Sequence, residues 1–257
     1  MFGTHFYHKK VRTCVAVFGS LFNNIRVLRT DASGQVLSQS KVPLSYAPAQ
    51  KFLERIRSNP NLDTDTNVAI KLPRMSFEIL SFTYDATRQI GKINNFNQAS
   101  TTANSRNKFN TGVPYIISFQ LSIFAKNQDD ALQILEQILP YFSPQYSLTM
   151  KAFPNYSNVK EDVPIVLQSV DFSDDFEGPV ESRRTIIYNL TFDMKVNFYG
   201  PIEDKGFIRT AKPVLGFSNA GLNDSDIDTT RIIVTTDPSD ASPDSDYGFS
   251  TTIEDLT

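Results

Sequence analysis

The length and composition of this chain allow one sizeable buried core and exclude several classes of protein. Its 257 residues are 40% hydrophobic and 21% charged, and no run approaches the roughly 18 apolar residues that span a bilayer. The N-terminus lacks the apolar stretch of a secretory signal, so we expect a soluble, cytosolic protein with no membrane partner. The single cysteine, Cys14, excludes an intrachain disulfide framework. Twenty phenylalanines and no tryptophan favour a β-rich core.

The net charge of -3 hides an acidic C-terminus. Residues 218–257 carry nine acidic side chains and one base, Arg231, for a net of -8, so the rest of the chain carries +5. We expect a solvated, partly disordered terminus there, and a strap that docks on a neighbouring subunit is the alternative. Five excess positive charges are too few for a surface that tracks nucleic-acid phosphates, so we expect no specific nucleic-acid partner.

The first elements in chain order mix weak and clear patterns. The apolar positions up to Phe22 alternate and favour a strand, with a short helix as the alternative. Residues 24–30 and 35–43 are strand-like, and the Asp, Ser and Gly between them predict a hairpin turn. A proline at a first helical position predicts a short helix over residues 46–57. Alternation over residues 74–84 then predicts a strand with both faces partly covered.

Residues 85–112 are a polar excursion rich in Asn, Thr, Ser, Gln and basic residues. A loop of this length in a compact domain is usually functional, so we expect a long hairpin or an arm that reaches a partner. Its basic residues are candidates for a partner interface: Arg88, Lys92, Arg106 and Lys108.

The clearest strand and helix follow this excursion. Residues 113–124 are rich in β-branched and aromatic residues and alternate, which predicts a half-buried strand with its odd-numbered face in the core. Asn127 and Asp130 fit a capping box that starts a helix, and a proline ends the helix near Leu139. Its apolar side chains fall in one arc, so we expect this amphipathic helix to lie on a sheet. An extended return is expected over residues 146–150.

Two further strands are expected downstream. Residues 163–172 have a strand pattern, and the acidic segment 173–179 is typical of a solvated turn. Residues 182–199 carry an unbroken apolar row at even positions, which predicts the longest strand of the chain, beside residues 113–124. We expect order to fade after Asn219.

These elements predict an α+β fold, a mainly antiparallel sheet on which one main amphipathic helix and one short helix pack. We expect a single domain over residues 1–217, with the excursion at 85–112, and an acidic C-terminal extension over 218–257. No internal repeat is present, so a repeat architecture is not expected.

The sequence holds no pattern that is typical of a catalytic, metal or cofactor site. His5 and His8 lack a third ligand for zinc. Cys14 lies in an apolar run without a neighbouring His, which favours a small buried side chain over a nucleophile. The acidic residues 171–178 lack the spacing of a calcium loop, and the glycines form neither GxGxxG nor a Walker loop. We therefore expect no enzyme, no metal and no cofactor.

Arg183 and Arg184 enter the strand predicted over 182–199, and adjacent strand residues point to opposite faces. A bidentate contact from one of them to a carboxylate across a subunit interface is the favoured use. A solvated pair and a contact to nucleic-acid phosphate are the alternatives.

A set of segments forms an ordered pattern over about residues 1–210, namely 1–7, 19–29, 72–86, 121–150, 182–194 and 206–210. Its most specific part is the pair Asp129 and Asp130, followed after five residues by EQILPYF at 136–142. These segments resemble the tail sheath stabiliser family of large contractile-tailed bacteriophages, whose members are also called proximal tail or tail completion proteins.

The resemblance implies a non-enzymatic structural protein of the tail-terminator kind, with a tail-terminator-like fold. Such proteins form a sixfold ring at the head-proximal end of the tail, over the tube terminator and the last sheath ring, and they face the neck proteins of the head. A homo-oligomer in the virion, assembled in the host cytoplasm, is therefore expected to stabilise the extended sheath and join the tail to the neck. A tube terminator or a head-completion adaptor is the nearest alternative, and a hydrolase or nucleic-acid-processing enzyme is the alternative from another class.

Two groups of residues are candidates for subunit or partner contacts. The charged candidates match positions of the family motifs: Asp129, Asp130, Arg183 and Arg184. We expect one of the arginines to pair with a carboxylate of an adjacent subunit. The aromatic candidates follow the helix and are either ring contacts or core residues: Tyr141, Phe142 and Tyr146.

Overall fold

The computed structural model describes residues 5–31, 33–58, 72–91, 93–99, 105–176, 184–206, 208–217, 228–242 and 245–256. It is mostly β-sheet, 57% strand against 18% helical. The strands are β1 (Arg26–Thr30), β2 (Val36–Lys41), β3 (Leu44–Tyr46), β4 (Arg74–Tyr84), β5 (Asn95–Ala99), β6 (Ser105–Asn110), β7 (Val113–Ala125), β8 (Gln145–Phe153), β9 (Tyr156–Phe176), β10 (Arg184–Phe198), β11 (Glu203–Gly206), β12 (Thr210–Ala211), β13 (Val214–Phe217), β14 (Asp228–Asp237) and β15 (Gly248–Leu256). The α-helices are α1 (Lys10–Phe22), α2 (Ala49–Ser58) and α3 (Gln128–Ile138), and short 3-10 turns cover Ala86–Arg88 and Leu139–Tyr141.

The chain divides into two compact units. The main unit comprises His5–Gln89 and Val113–Phe198, and the second unit comprises the described residues within Ile90–Gly112 and Tyr199–Thr257. Both hydrophobic clusters of the described chain lie in the main unit.

The main unit is built on a six-stranded sheet in the order β3-β4-β7-β10-β9-β8. Its neighbours are antiparallel except for β3 and β4, which are parallel. β10 pairs with β7 from Ile186 opposite Ala125 to Phe198 opposite Val113, which confirms the expected place of this strand beside β7. The expected hairpin is also confirmed, because β1 and β2 pair antiparallel.

The longest described strand is β9, with 21 residues against 15 in β10. The expectation that residues 182–199 form the longest strand is therefore wrong. β9 continues through residues 173–176 of the predicted acidic turn, because these residues pair with the start of β10. The remainder of that turn lies outside the described residues.

One face of the sheet carries the core, as the alternation in β7 and β10 predicts. Phe119 of β7 and Phe192 of β10 are paired neighbours and are fully buried. The ring of Phe18 in α1 stacks on Phe119 with centroids 4.4 Å apart. α1 lies close to the sheet at Gly19, where a Cβ would come within 2.9 Å of the Phe77 ring. Buried residues of α3 complete this layer: Ala131, Ile134 and Ile138.

The N-terminal segment is helical, so the strand favoured for it is wrong and the helical alternative is the one observed. Cys14, Phe18 and Phe22 are buried at a spacing of four residues, which is the spacing of one helix face. The valines between them suggested alternation, but Val15 and Val17 only border the core.

The opposite face of the sheet is largely polar. Ser118 donates to Asp193 (2.7 Å) and Ser122 donates to Asn189 (2.7 Å), so cross-strand hydrogen bonds replace apolar contacts there. Helix α2 covers only one end of this face, where Phe52 packs with the buried Phe124 and with Ile187.

The second unit contains two small sheets. β11, β6 and β5 form one, and β14 pairs with β12, β13 and β15 in the other. The disorder expected after Asn219 is therefore wrong for β14 and β15, whose threonines and isoleucines form a ladder over nine residue pairs. Among the described residues of this unit, the buried apolar side chains are Phe109 and Ala241.

The predicted α+β class is wrong, because the fold is mainly β. The prediction placed one main helix on the sheet, whereas α1 and α3 both pack on its core face. It also left the C-terminal region without strands, although β12–β15 form a sheet of their own. Short strands of mostly polar composition have little apolar alternation, so local periodicity does not reveal them.

Candidate interaction surfaces

The polar side of α3 lies against the first strand of the β1–β2 hairpin. Leu28 donates its amide to Gln133 Oε1 (3.0 Å), and Gln133 Nε2 donates back to the Leu28 carbonyl (3.0 Å). Gln137 repeats the arrangement with Arg26, at 3.4 Å and 2.8 Å. The two glutamine amides thus bond to β1 as a neighbouring strand would, and we call them the glutamine brace. Both glutamines lie opposite the apolar arc of the helix, and their spacing of four on one helix side was a usable signal.

Asp130 belongs to the same contact. Its carboxylate is buried and accepts from Arg29 Nη2 at 3.1 Å, which ties α3 to β1 a second time. Asp129 is exposed and accepts from Gln133 Nε2 at 2.8 Å. These two motif residues therefore orient the brace within the chain.

The helix begins at Gln128, as predicted, but without the predicted capping box. Asn127 occupies the N-cap position in an extended conformation and makes no side-chain hydrogen bond there. Asp130 faces Arg29 instead of the helix N-terminus. Asp129 and Asp130 still place negative charge in the first turn, where it favours the helix dipole.

The aromatic candidates border an open groove of about 440 Å³ at the ends of α1 and α3. Phe142 is half-buried, and its ring centroid lies 5.0 Å from Phe192 and 6.1 Å from Tyr146. Tyr141 is 67% exposed at the rim. The rest of the lining comprises Leu21, Phe22, Asn24, Ile25, Glu136, Gln137, Ile138 and Pro140. The EQILPYF segment thus places the half-buried ring of Phe142 next to the exposed ring of Tyr141.

The basic candidates of the 85–112 excursion lie in different settings. Arg88 pairs with Asp85 at 2.6 Å and donates to the Tyr115 carbonyl at 3.2 Å. Two side-chain hydrogen bonds, the larger contribution from Thr87 and the smaller from Arg88, lower the pKa of Asp85 to about 2. Arg106 and Lys108 lie on β6, between β5 and β11. Lys92 lies outside the described residues.

The two arginine candidates are only partly described. Arg183 lies outside the described residues. The backbone of Arg184 begins β10 opposite Phe176. Arg184 therefore lies at the first residue of β10, at the opposite end of that strand from Phe198.

The start of α1 is held by a buried ion pair. Lys10 contacts Glu161 of β9, and their side chains are 7% and 9% exposed. Cys14 lies one turn further on and is fully buried, as expected, and burial raises the pKa of its thiol to about 11. His8 packs edge-on against Phe153, with ring centroids 5.1 Å apart.

Nowhere in the described ranges do three or more His, Cys, Asp or Glu side chains come together as metal ligands. Of the helices that the described residues form, none has the length and apolarity to cross a membrane.

Comparison with known proteins decides the family. A model of the T4-like virus Myoviridae tail sheath stabiliser family matches residues 5–257. The chain belongs to this tail sheath stabiliser family. The match extends past Thr210, where the resemblance seen in the sequence ends, and it includes β12–β15.

A curated relative supports the same assignment. The "Tail completion protein gp15" of Enterobacteria phage T4 is 34% identical over 216 residues, which cover 82% of this chain and 78% of that protein. The chain is thus a structural protein of a bacteriophage tail and a component of the virion. In this tail sheath stabiliser, the segment 129–142 that carries the resemblance forms the glutamine brace and the aromatic groove.

Proposed function

We propose that this chain forms a ring of six copies at the head-proximal end of a contractile tail, where it caps the tube and the sheath and joins the tail to the neck. The observation that carries this proposal is the family match over residues 5–257. The name of the T4 relative, a tail completion protein, agrees with a terminal position. The partners are the sheath protein, the tube terminator and the neck proteins.

The proposed ring would act by binding the last layer of the sheath. An extended sheath is metastable, and added contacts at its end stabilise the extended state and raise the barrier to premature contraction. A head-to-tail contact between unlike surfaces closes into a ring when its rotation fits. The protein therefore works through its surfaces, as a structural component and not as an enzyme.

Several described surfaces suit such contacts. Tyr141 is a large exposed ring beside a groove, and Leu37 and Phe249 are exposed on strands of the two units. We also propose that Arg183 or Arg184 pairs with a carboxylate of the adjacent subunit, since a bidentate contact fixes the orientation of two subunits.

The ring is tested by native mass spectrometry and electron microscopy of the purified protein. Six copies in a closed ring are expected, and the ring should bind sheathed tails and slow their contraction. A protein that stays monomeric at all concentrations contradicts the proposal. A ring that binds bare tubes and leaves the sheath unchanged would instead favour a tube terminator.

The arginine contact has its own test. The double variant Arg183→Glu/Arg184→Glu should remain a folded monomer and fail to form rings. The matched control is Lys151→Glu/Lys160→Glu, which reverses two exposed charges on the β8–β9 pair. Intact rings from the arginine variant rule out this contact and leave the ring itself in place.

A further inference from the structure

The glutamine brace closes one edge of the β1–β2 hairpin and leaves the other edge open. Arg26 and Leu28 direct their backbone groups toward the brace. In an antiparallel pair the backbone groups alternate between the two edges, so their partners on β2 direct theirs away from β1. These partners are Lys41 and Gln39. Val42 N donates to Ile25 O (3.0 Å), so the residue pair next to Arg26 and Lys41 bonds across the two strands, as the alternation requires.

The open edge of β2 has no partner strand among the described residues. Unpaired strand edges are sites where another chain can add a strand, and proteins normally cover them or shorten them. Here β1 is covered by side chains, while β2 exposes Val36 and Leu37, the latter 69% exposed. A register shift near Thr30 places Leu37 outside the ladder, so the regular edge runs from Ser38 to Lys41.

A second open edge lies on β15. The Ile232 amide of β14 donates to Pro213 (3.0 Å), away from β15. Its β15 partner Ile253 therefore directs its own backbone groups to the outer edge. The strand is nine residues long and contains neither proline nor lysine. Phe249 and Ile253 are 67% and 66% exposed, and β14 is its described neighbour.

The two edges carry opposite charge. Arg29 of the β1–β2 hairpin already pairs with Asp130, so Arg26 and Lys41 are its remaining positive charges, and its one acid, Asp31, accepts bonds inside the turn. Glu254 of β15 pairs with Arg231 of β14 (3.7 Å), so Asp255 carries the remaining charge of residues 248–256, which contain no base. Opposite charges favour pairing of these unlike strands over pairing of either strand with a copy of itself.

We propose that β15 of one copy adds to the open edge of β2 in the next copy. The partner is a second copy of this chain, and the contact joins unlike edges, so it is heterologous and can close a ring. With Thr251 opposite Gln39 in an antiparallel pair, exposed Ile253 then contacts Leu37. This inference rests on the proposed ring and names the strands that build it. The glutamine brace has the role of keeping β1 from competing as an acceptor.

Mixing two variants of the full chain, each with one added cysteine, tests the contact. Gln39→Cys and Thr251→Cys are prepared separately, mixed and treated with a short bis-maleimide. The native Cys14 is buried and stays protonated near neutral pH, so it gives no background reaction. Crosslinked dimers are expected from the mixture and not from either variant alone. Their yield should fall severalfold as salt increases, because the charge pairing is exposed.

Gln39→Cys mixed with Ser147→Cys is the matched control, since Ser147 is exposed on β8, which is also an edge strand of its sheet. Rings by electron microscopy without crosslinks between positions 39 and 251 overturn the strand pairing and leave the proposed function standing. Crosslinks without closed rings support the pairing and contradict the sixfold ring. Crosslinking of either variant with itself contradicts the heterologous contact.

Discussion

The two units of this tail sheath stabiliser differ in how they bury apolar surface. The main unit holds both hydrophobic clusters, with Phe119 and Phe192 fully buried under α1 and α3. The second unit buries Phe109 and Ala241 among its described apolar side chains, while Phe249 and Ile253 face solvent. The main unit therefore has the core of an independently stable fold, and the described part of the second unit does not.

The difference in buried apolar surface indicates which unit assembly can stabilise. A sheet with an open edge and exposed apolar side chains gains stability when a partner strand adds to that edge and covers part of those side chains. In the proposed ring, the strands of the second unit gain such a partner, whereas the main unit keeps the core it already has. Substitutions in the two units should therefore differ in their effect on the free energy of unfolding.

Phe119→Ala should lower the free energy of unfolding by about 3–5 kcal/mol, because it removes a buried ring that stacks on Phe18. Phe249→Ala, in the second unit, should change it by no more than about 0.5 kcal/mol in the monomer. Urea denaturation of both variants measures the difference. Equal losses would show that the second unit shares the stability of the core.

Lys10→Met should lower the free energy of unfolding by about 3 kcal/mol, because Glu161 is left buried without its partner. The double variant Lys10→Met/Glu161→Leu should recover most of the loss, since apolar residues replace both charges. A double-mutant cycle by denaturation reports the coupling. Additive losses would mean that the pair does not anchor α1.

Gln133→Ala should cost about 1 kcal/mol, because two hydrogen bonds to Leu28 are lost at a partly exposed site. The loss should be local, with faster amide exchange in β1 and β2 and unchanged exchange at Phe119. Glu136→Ala is the matched control on the same helix. Unchanged exchange in the hairpin would contradict the role of the brace.

Asp85 should contribute a small stability that depends on pH. Its pKa is lowered to about 2 by bonds from Thr87 and Arg88, so its contribution is full above the unfolded value near 4 and is lost as the pH falls toward 2. The difference in stability between the wild type and Asp85→Asn should therefore be constant near pH 7 and shrink below pH 4. A difference that grows on acidification would contradict this sign.

Strong local periodicity was enough to predict part of the fold. The odd-numbered face of β7 and the even-numbered row of β10 were predicted as core, because strand alternation reflects burial directly. The β1–β2 hairpin followed from its turn residues, where Gly34 has a φ of 82 degrees. Helix α3 was predicted from its apolar arc, but the capping box predicted at its start is wrong.

Elements that depend on distant partners were missed. Helix α1 was predicted as a strand because its valines alternate, and only the sheet decides that Cys14 and Phe18 are its buried side. β14 and β15 were expected to be disordered because their acids dominate a short apolar run. Their ladder joins residues about twenty apart, which periodicity does not report.

The candidate surface was predicted in location but not in chemistry. Asp130 was expected to cap α3, whereas it binds Arg29, 101 residues away in the chain. Gln133 and Gln137 lie on the polar side of α3, opposite its apolar arc, and yet they bond to β1. Hydrogen bonds between distant segments depend on the tertiary fold, so a single sequence does not specify them.

Hydrogen exchange of the free and assembled protein reports whether assembly stabilises the second unit and leaves the main core unchanged. On ring assembly, the outward amides of β15, at Phe249, Thr251, Ile253 and Asp255, and those of Gln39 and Lys41 should become protected, while those of Ile117 to Ile123 stay equally protected in both states. This result is expected if assembly completes the second unit and leaves the main core unchanged. If β15 is already fully protected in the monomer, or if its protection is unchanged in the ring, assembly does not stabilise the second unit through this strand.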